Sequence, residues 1–123
     1  MGKIKFTRGD TYPFYFERHY ETDDEVQQPS EKTIIKTLPD KMWLTVKANY
    51  NSTQVLIQKT LAAGTIQWDP ETFRYYVVFE PEDTTNLRYK SYVYDIQIKT
   101  RHGISTIDKG TVTLTEESTY EYE

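Results

Sequence analysis

The feature that most constrains this chain is a strict alternation of large apolar residues in two segments of its second half. Every second residue is apolar in both, at Phe73, Tyr75, Val77 and Phe79 and then at Tyr92, Tyr94, Ile96 and Ile98. Successive side chains of a strand point to opposite faces, so a period of two indicates a sheet with one buried face. The sequence therefore predicts an antiparallel all-β domain.

Further short segments repeat this pattern along the chain, with turn residues between them. The pattern predicts strands at 3–7, 12–18, 42–48, 55–60, 66–68 and 104–115, and a brief one at 34–35. Asp69-Pro70 is typical of a type I turn, and His102-Gly103 is typical of a tight hairpin. Helical segments long enough to cross between parallel strands are missing from the pattern. Seven or more short strands predict a β-sandwich or barrel.

Two local irregularities are also predicted. One short helical turn is expected near residues 81–87, because Pro81 suits a first helical position and acidic residues follow it. In the last strand the apolar parity changes between Ile107 and Val112. One extra residue in a strand reverses its faces, so we predict a β-bulge near Lys109-Gly110.

The composition fits one folded domain with two polar segments. A length of 123 residues is ordinary for a domain, and the 11 tyrosines supply large rings that disordered chains lack. We predict a single sandwich domain over residues 1–115, with a polar loop at 21–32. Residues 116–123 carry four glutamates and are predicted to form an acidic, flexible tail.

Charge and cysteine content argue against several classes of partner. The net charge is −4 with scattered lysines and arginines, whereas nucleic-acid binding draws most of its affinity from a basic patch. The chain has no cysteine, which excludes disulfides and thiolate metal sites. It shows no apolar segment of membrane-spanning length and no signal peptide at its start. We therefore expect no nucleic-acid partner, no membrane insertion, no cofactor and synthesis in the cytoplasm.

The titratable residues do not form a catalytic pattern. His19 and His102 are placed at a strand end and in a turn, where surface roles are expected. The acidic run 23–25 lacks the ligand spacing and central glycine of a calcium loop. Acid pairs around Asp69 and Glu80 lie in turns, where carboxylates cap backbone groups. We predict that the chain is not an enzyme. A small hydrolase that uses Asp69 or Glu80 remains an alternative, ranked third after the two binding functions given below.

Five aromatic residues are the candidate partner-binding side chains. They lie off the buried parity of their strands or in turns, at Trp43, Trp68, Tyr50, Tyr76 and Tyr89. Exposed rings of this kind stack on sugars or anchor protein partners. The competing interpretation is that some of them cover the second face of a strand that is buried on both sides.

Five segments occur in a characteristic order between about residues 3 and 115. They are Phe6–Phe14 (FTRGDTYPF), Met42–Lys47 (MWLTVK), Phe79–Thr84 (FEPEDT) with Leu87, Tyr92–Ile98 (YVYDIQI) and Ile107–Thr115 (IDKGTVTLT). In this order they resemble the N-terminal immunoglobulin-like domain of phage baseplate upper proteins and related small phage or prophage tail proteins. The resemblance implies an immunoglobulin-like antiparallel β-sandwich.

The same resemblance implies a function and a location. It implies a non-enzymatic structural or assembly protein of a phage or prophage tail or baseplate, made in the bacterial cytoplasm and present in the virion. Its partners would be other tail or baseplate proteins or further copies of the chain, bound through aromatic residues and sheet edges such as 7–16, where Pro13 lacks an N–H. The residues also leave open a second function, a small carbohydrate-binding module that uses exposed Trp and Tyr.

Overall fold

The computed structural model describes residues 2–18, 35 and 37–116 of the chain. The elements within them are β1 Gly2–Thr7, β2 Tyr12–Phe16, β3 Lys41–Lys47, β4 Ile57–Thr60, β5 Ile66–Asp69, β6 Arg74–Phe79, α1 Pro81–Thr84, β7 Ser91–Thr100 and β8 Gly103–Thr115. They form a five-stranded sheet, β1-β8-β7-β3-β4, and a three-stranded sheet, β2-β6-β5. The predicted all-β sandwich is confirmed. The predicted loop at 21–32 and residues 117–123 of the predicted tail lie outside the described residues.

The strand order follows that of immunoglobulin-type sandwiches. In such domains strands B, E and D form one sheet and C, F and G the other, and here β2-β6-β5 and β3-β7-β8 occupy those places. The prediction of a purely antiparallel fold is wrong for one pair, because β1 runs parallel to β8. These are the first and last of the described strands, so no tight hairpin connects them.

The core lies between the two sheets and is built from the alternating residues. Tyr75, Val77 and Phe79 of β6 are buried, and so are all four predicted inward residues of β7. Rings from opposite sheets meet in the core, with Phe6 of β1 5.5 Å from Phe79 between ring centroids. The predicted buried faces are therefore confirmed in these strands.

Phe73 departs from the predicted pattern. The strand begins at Arg74, and Phe73 is half-buried in the preceding turn with a φ of 59°, which is unusual for a bulky residue. Its N–H donates to the Asp69 carbonyl (2.8 Å), so the turn is one residue longer than the predicted type I turn. The Asp69 carboxylate accepts hydrogen bonds from the Glu71 N–H and the Thr72 hydroxyl, and these bonds lower the pKa of Asp69.

Tyr92 anchors the backbone that precedes β7 through two hydrogen bonds of its hydroxyl. Its ring is buried, and its hydroxyl accepts from the Arg88 N–H (2.8 Å) and donates to the Arg88 carbonyl (2.9 Å). A tyrosine that hydrogen-bonds the backbone a few residues upstream is found at the corresponding corner of immunoglobulin-type sandwiches. This contact supports the strand correspondence independently of the strand order.

A β-bulge is present in β8, but at a different residue from the one predicted. Ile96 pairs with Asp108 while Gln97 pairs with Thr106, so Ile107 is the extra residue. The prediction of a bulge at Lys109-Gly110 is therefore wrong by two to three positions. Gly110 has another role, because a Cβ there would overlap the backbone of Gly2 in the adjacent strand β1.

The predicted helical turn is confirmed and is four residues long. Glu80 caps α1, and the Asp83 carboxylate accepts a hydrogen bond from the Glu80 N–H in a capping box. The buried Thr84 hydroxyl accepts from the Gly9 N–H (2.8 Å), which attaches the β1–β2 turn to the helix. The predicted strand at 34–35 is not formed at Ile35, and residue 34 lies outside the described residues.

Candidate interaction surfaces

The structure does not bring the five predicted aromatic residues together. Trp43 and Trp68 belong to different sheets, in β3 and β5. Tyr50 lies in the β3–β4 connection, Tyr76 in β6 and Tyr89 between α1 and β7. These positions form separate surfaces, each of which has its own geometry.

Trp68 packs against other rings of its own chain, whereas Tyr89 is 43% exposed. The Trp68 ring is half-buried and lies 4.7 Å from the ring centroid of the core residue Tyr75 and 6.1 Å from that of Phe73. The Tyr89 ring is covered on one face by the Arg8 guanidinium, 4.4 Å from its centroid. Arg8 also donates to the Leu87 carbonyl (3.2 Å). These two contacts hold the β1–β2 turn against the segment between α1 and β7.

Tyr76 lies on the outer face of the three-stranded sheet. It contacts Tyr15, which the sequence analysis did not select as a binding residue. Tyr15 of the edge strand β2 pairs directly with Tyr76, and their ring centroids are 5.7 Å apart. The Arg74 guanidinium lies 4.7 Å from the Tyr15 centroid. Pro13 and Val78 form the next outward pair. We call these five residues, Pro13, Tyr15, Arg74, Tyr76 and Val78, the tyrosine face.

The parity of the sequence contained a partial signal for this surface. Tyr15 stands between Phe14 and Phe16, whose rings contact the core residues Tyr94 and Tyr75, so Tyr15 must point away from the core. The pairing of β2 with β6 places it beside Tyr76, and that pairing joins residues about 60 positions apart. The predicted edge at 7–16 is confirmed for Tyr12–Phe16, because β2 is an outer strand of its sheet among the described residues, whereas Thr7 belongs to β1 of the other sheet.

Trp43 lies on the outer face of the five-stranded sheet, beside the edge strand β4. Its ring is half-exposed and borders a shallow cleft of about 390 Å³. The polar side chains of Lys41, Gln58 and Thr60 line the same cleft. An aromatic ring among hydrogen-bonding side chains is a combination that can contact a sugar or a peptide.

Tyr50 borders a larger cleft at the bulge of β8. This bulge cleft has a volume of about 600 Å³ and is lined by Tyr50, Asp95, Thr106, Ile107, Asp108 and Lys109. The Tyr50 hydroxyl donates to the Gly110 carbonyl (3.1 Å), and the Lys109 ammonium lies 5.8 Å from the Tyr50 ring centroid. Partial burial and the nearby Asp95 carboxylate raise the pKa of Tyr50, so its hydroxyl stays protonated and remains a donor at neutral pH.

A second hydroxyl reaches the bulge cleft from the core side. Tyr94 is buried, and its hydroxyl donates to the Asp108 carboxylate at 3.0 Å. Burial, followed by the Asp108 charge, raises the pKa of Tyr94 well above its usual value. The Tyr94 hydroxyl therefore fixes the position of the Asp108 side chain at the cleft, which is lined by two acidic residues and one lysine.

The histidine and carboxylate side chains considered as catalytic candidates lie at the surface or cap turns, where the structure describes them. His102 is exposed at the tip of the β7–β8 hairpin, and the acids near Asp69 and Glu80 cap turns. His19 and the acidic run 23–25 lie outside the described residues. No group of three or more His, Cys, Asp or Glu in the described part of the chain could hold a metal ion. In the same residues, no helix has the length and apolar character needed to cross a membrane.

Comparisons with known proteins do not add an assignment to this geometry. No protein-family model and no curated protein matches the chain.

Proposed function

We propose that this chain is a structural protein of a phage or prophage tail or baseplate, which binds neighbouring tail proteins through the tyrosine face. The tail or baseplate role is supported by the resemblance of the five sequence segments, and the observation that carries the binding surface is the composition of the tyrosine face. In a lone sandwich the outward side of each strand is polar, but here Pro13, Tyr15, Tyr76 and Val78 point outward from two adjacent strands. Tyr and Arg are the residues enriched at the centres of protein interfaces.

The other sheet provides an internal comparison. The outward residues of its central strand β7 are Val93, Asp95, Gln97 and Lys99, and β8 adds Thr111 and Thr113. This outer face is mostly polar, as expected for a solvated sheet. The contrast supports a contact made by the three-stranded sheet, whose exposed Tyr15 ring is already held in place by Arg74. A rigid aromatic side chain loses little conformational entropy on binding.

Labelled particles test this proposal. Particles are prepared from the induced strain that carries the gene, with the chain supplied in tagged form, and are labelled with immunogold. We expect gold at the tail tip or baseplate for the unmodified chain. A Tyr15→Glu variant should label roughly tenfold fewer particles, because an interface hot spot contributes about 2 kcal/mol or more and a buried carboxylate adds a penalty.

The matched control is Gln54→Glu, which introduces the same charge at an exposed position of the β3–β4 connection, away from both candidate surfaces. Both variants should unfold cooperatively, and Gln54→Glu should label like the unmodified chain. Intact particles without gold would overturn the virion role. Equal labelling by both variants would overturn the role of the tyrosine face.

The second candidate function is carbohydrate binding at Trp43. The observation in its favour is the shallow cleft in which the Trp43 ring borders Lys41, Gln58 and Thr60. If it is correct, titration with soluble glycans should give saturable quenching of tryptophan fluorescence. The signal should disappear in Trp43→Phe and remain in Trp68→Phe, because Trp68 packs against core rings. A flat response across a glycan panel would remove this candidate.

A further inference from the structure

Half of strand β8 has an open edge in the described part of the chain. β1 pairs with Gly110–Thr115 of β8 and begins at Gly2, opposite Gly110. The preceding half of β8, from Gly103 to Lys109, pairs with β7 on its other side. Backbone groups along such an edge can hydrogen-bond an added strand. The ladder that β1 forms with β8 therefore stops halfway along the strand.

Two features beside this open half fit a bound extended segment. Ile104 is 61% exposed, the highest value among the exposed large hydrophobic residues of the described chain. The bulge cleft opens at Thr106–Lys109, within the same half of β8. In strand addition, main-chain hydrogen bonds supply affinity and pockets for alternate side chains supply specificity. The open half provides both an edge and a pocket.

We propose that the open edge of β8 at residues 103–109 binds an extended segment of a neighbouring polypeptide, which runs in line with β1 and places a lysine or arginine in the bulge cleft. The direction follows from the β1–β8 ladder, because a segment that runs the same way beside residues 103–108 continues the line of the parallel strand β1. This surface belongs to the five-stranded sheet, so the inference does not depend on the tyrosine face.

The charge of the bulge cleft determines the chemistry of the occupant. Asp95 and Asp108 contribute two negative charges, and Lys109, whose ammonium lies over the Tyr50 ring, contributes one positive charge. The Tyr94 hydroxyl holds Asp108 by a hydrogen bond from the core side. Asp95 faces the outer side of the sheet, so a cationic side chain on the same side of the segment can pair with it. An acidic side chain at the same place would be repelled by Asp95.

A segment tethered to the chain itself tests the inference, whichever polypeptide supplies the natural strand. The full chain is extended before Met1 by six residues that alternate valine and threonine, with one lysine in the register that faces the cleft. Matched chains carry glutamate in place of this lysine, or a Gly-Ser segment of equal length. Tethering raises the effective concentration of the segment to the millimolar range, so even weak strand docking becomes measurable.

The readouts are amide hydrogen exchange of residues 103–109, the melting temperature and the molecular mass by light scattering. We expect the lysine extension to slow exchange in the open half by roughly tenfold relative to the Gly-Ser chain, since edge amides gain partners. The glutamate extension should have a smaller effect, and Asp95→Asn should reduce the difference between lysine and glutamate.

Three other results would separate the parts of the inference. Exchange equal to that of the Gly-Ser chain would overturn the strand-binding edge. Slowed exchange that is equal for lysine and glutamate would overturn the proposed basic occupant. Slowed exchange in a species of dimeric mass would still support the edge, with the extension of a second copy in the site.

Discussion

Replacing Asp83 by alanine is expected to destabilise the domain by about 3 to 5 kcal/mol, because it leaves a buried ammonium without its partner. The Lys59 side chain is 9% exposed, and its Nζ lies 2.7 Å from Asp83 Oδ2. The same carboxylate oxygen accepts from the Glu80 N–H at 2.7 Å. One substitution therefore removes the ion pair between β4 and α1 and also a cap of α1, which is worth about 1 kcal/mol.

The measurement is urea denaturation, with the free energy of unfolding extrapolated to water and the slope compared with that of the parent. Lys59→Met combined with Asp83→Ala is the control, because the double variant has no unpaired buried charge and should recover most of the lost stability. A loss below about 1 kcal/mol in Asp83→Ala alone would show that the Lys59 ammonium reaches water.

Replacing Gly110 by alanine is expected to cost about 3 kcal/mol, at the upper end of the range for overpacking. A Cβ at this position would overlap the carbonyl group and nitrogen of Gly2. These are backbone atoms, which cannot rotate away as a side chain could, so β1 must move off β8. The melting temperature should fall by roughly 10 °C, and the amides of Gly2–Thr7 should exchange faster.

Gly103→Ala is the comparison that separates crowding from backbone strain. Gly103 has a φ of 115°, but a Cβ there would meet no atom within 4 Å. Its replacement should cost about 1 to 2 kcal/mol from conformational strain alone and should leave β1 protected. If both alanine variants lose the same stability and β1 stays protected in both, the close contact of Gly110 with Gly2 does not determine the packing of β1.

The strand faces were predictable because they depend on neighbouring residues. Tyr75, Val77 and Phe79 share the inward face of β6 as a result of the period of two. The helical turn at Pro81–Thr84 was predictable for a similar reason, since Pro81 and the acids that follow it act within one turn. Phe73 shows the limit of this reasoning, because the hydrogen bond from its N–H to Asp69 places it in the turn.

The candidate surfaces were less predictable. Trp68 was predicted to lie off the buried parity, but in the structure it shares the inward side of β5 with Ile66 and packs against Tyr75 and Phe73. Tyr15 was not among the predicted binding residues, although it is half-exposed and pairs with Tyr76. Whether an aromatic ring faces solvent or a neighbouring ring depends on which strands pair, and the alternation within one strand carries no information about that pairing.

Local sequence was sufficient to specify which residues of β6 and β7 face the core and where the short helix lies. These properties follow from steric and hydrogen-bonding preferences that act over a few residues. The parallel pairing of β1 with β8 arises only in the folded domain, where the hydroxyls of Thr7 and Thr115 are 3.4 Å apart although the two residues are separated by 108 positions. That pairing also explains why position 110 requires glycine and why the other half of β8 has an open edge. The physical reason is that strand partners are chosen by burial and backbone hydrogen bonding of the whole assembled sandwich, a global balance that no short segment encodes.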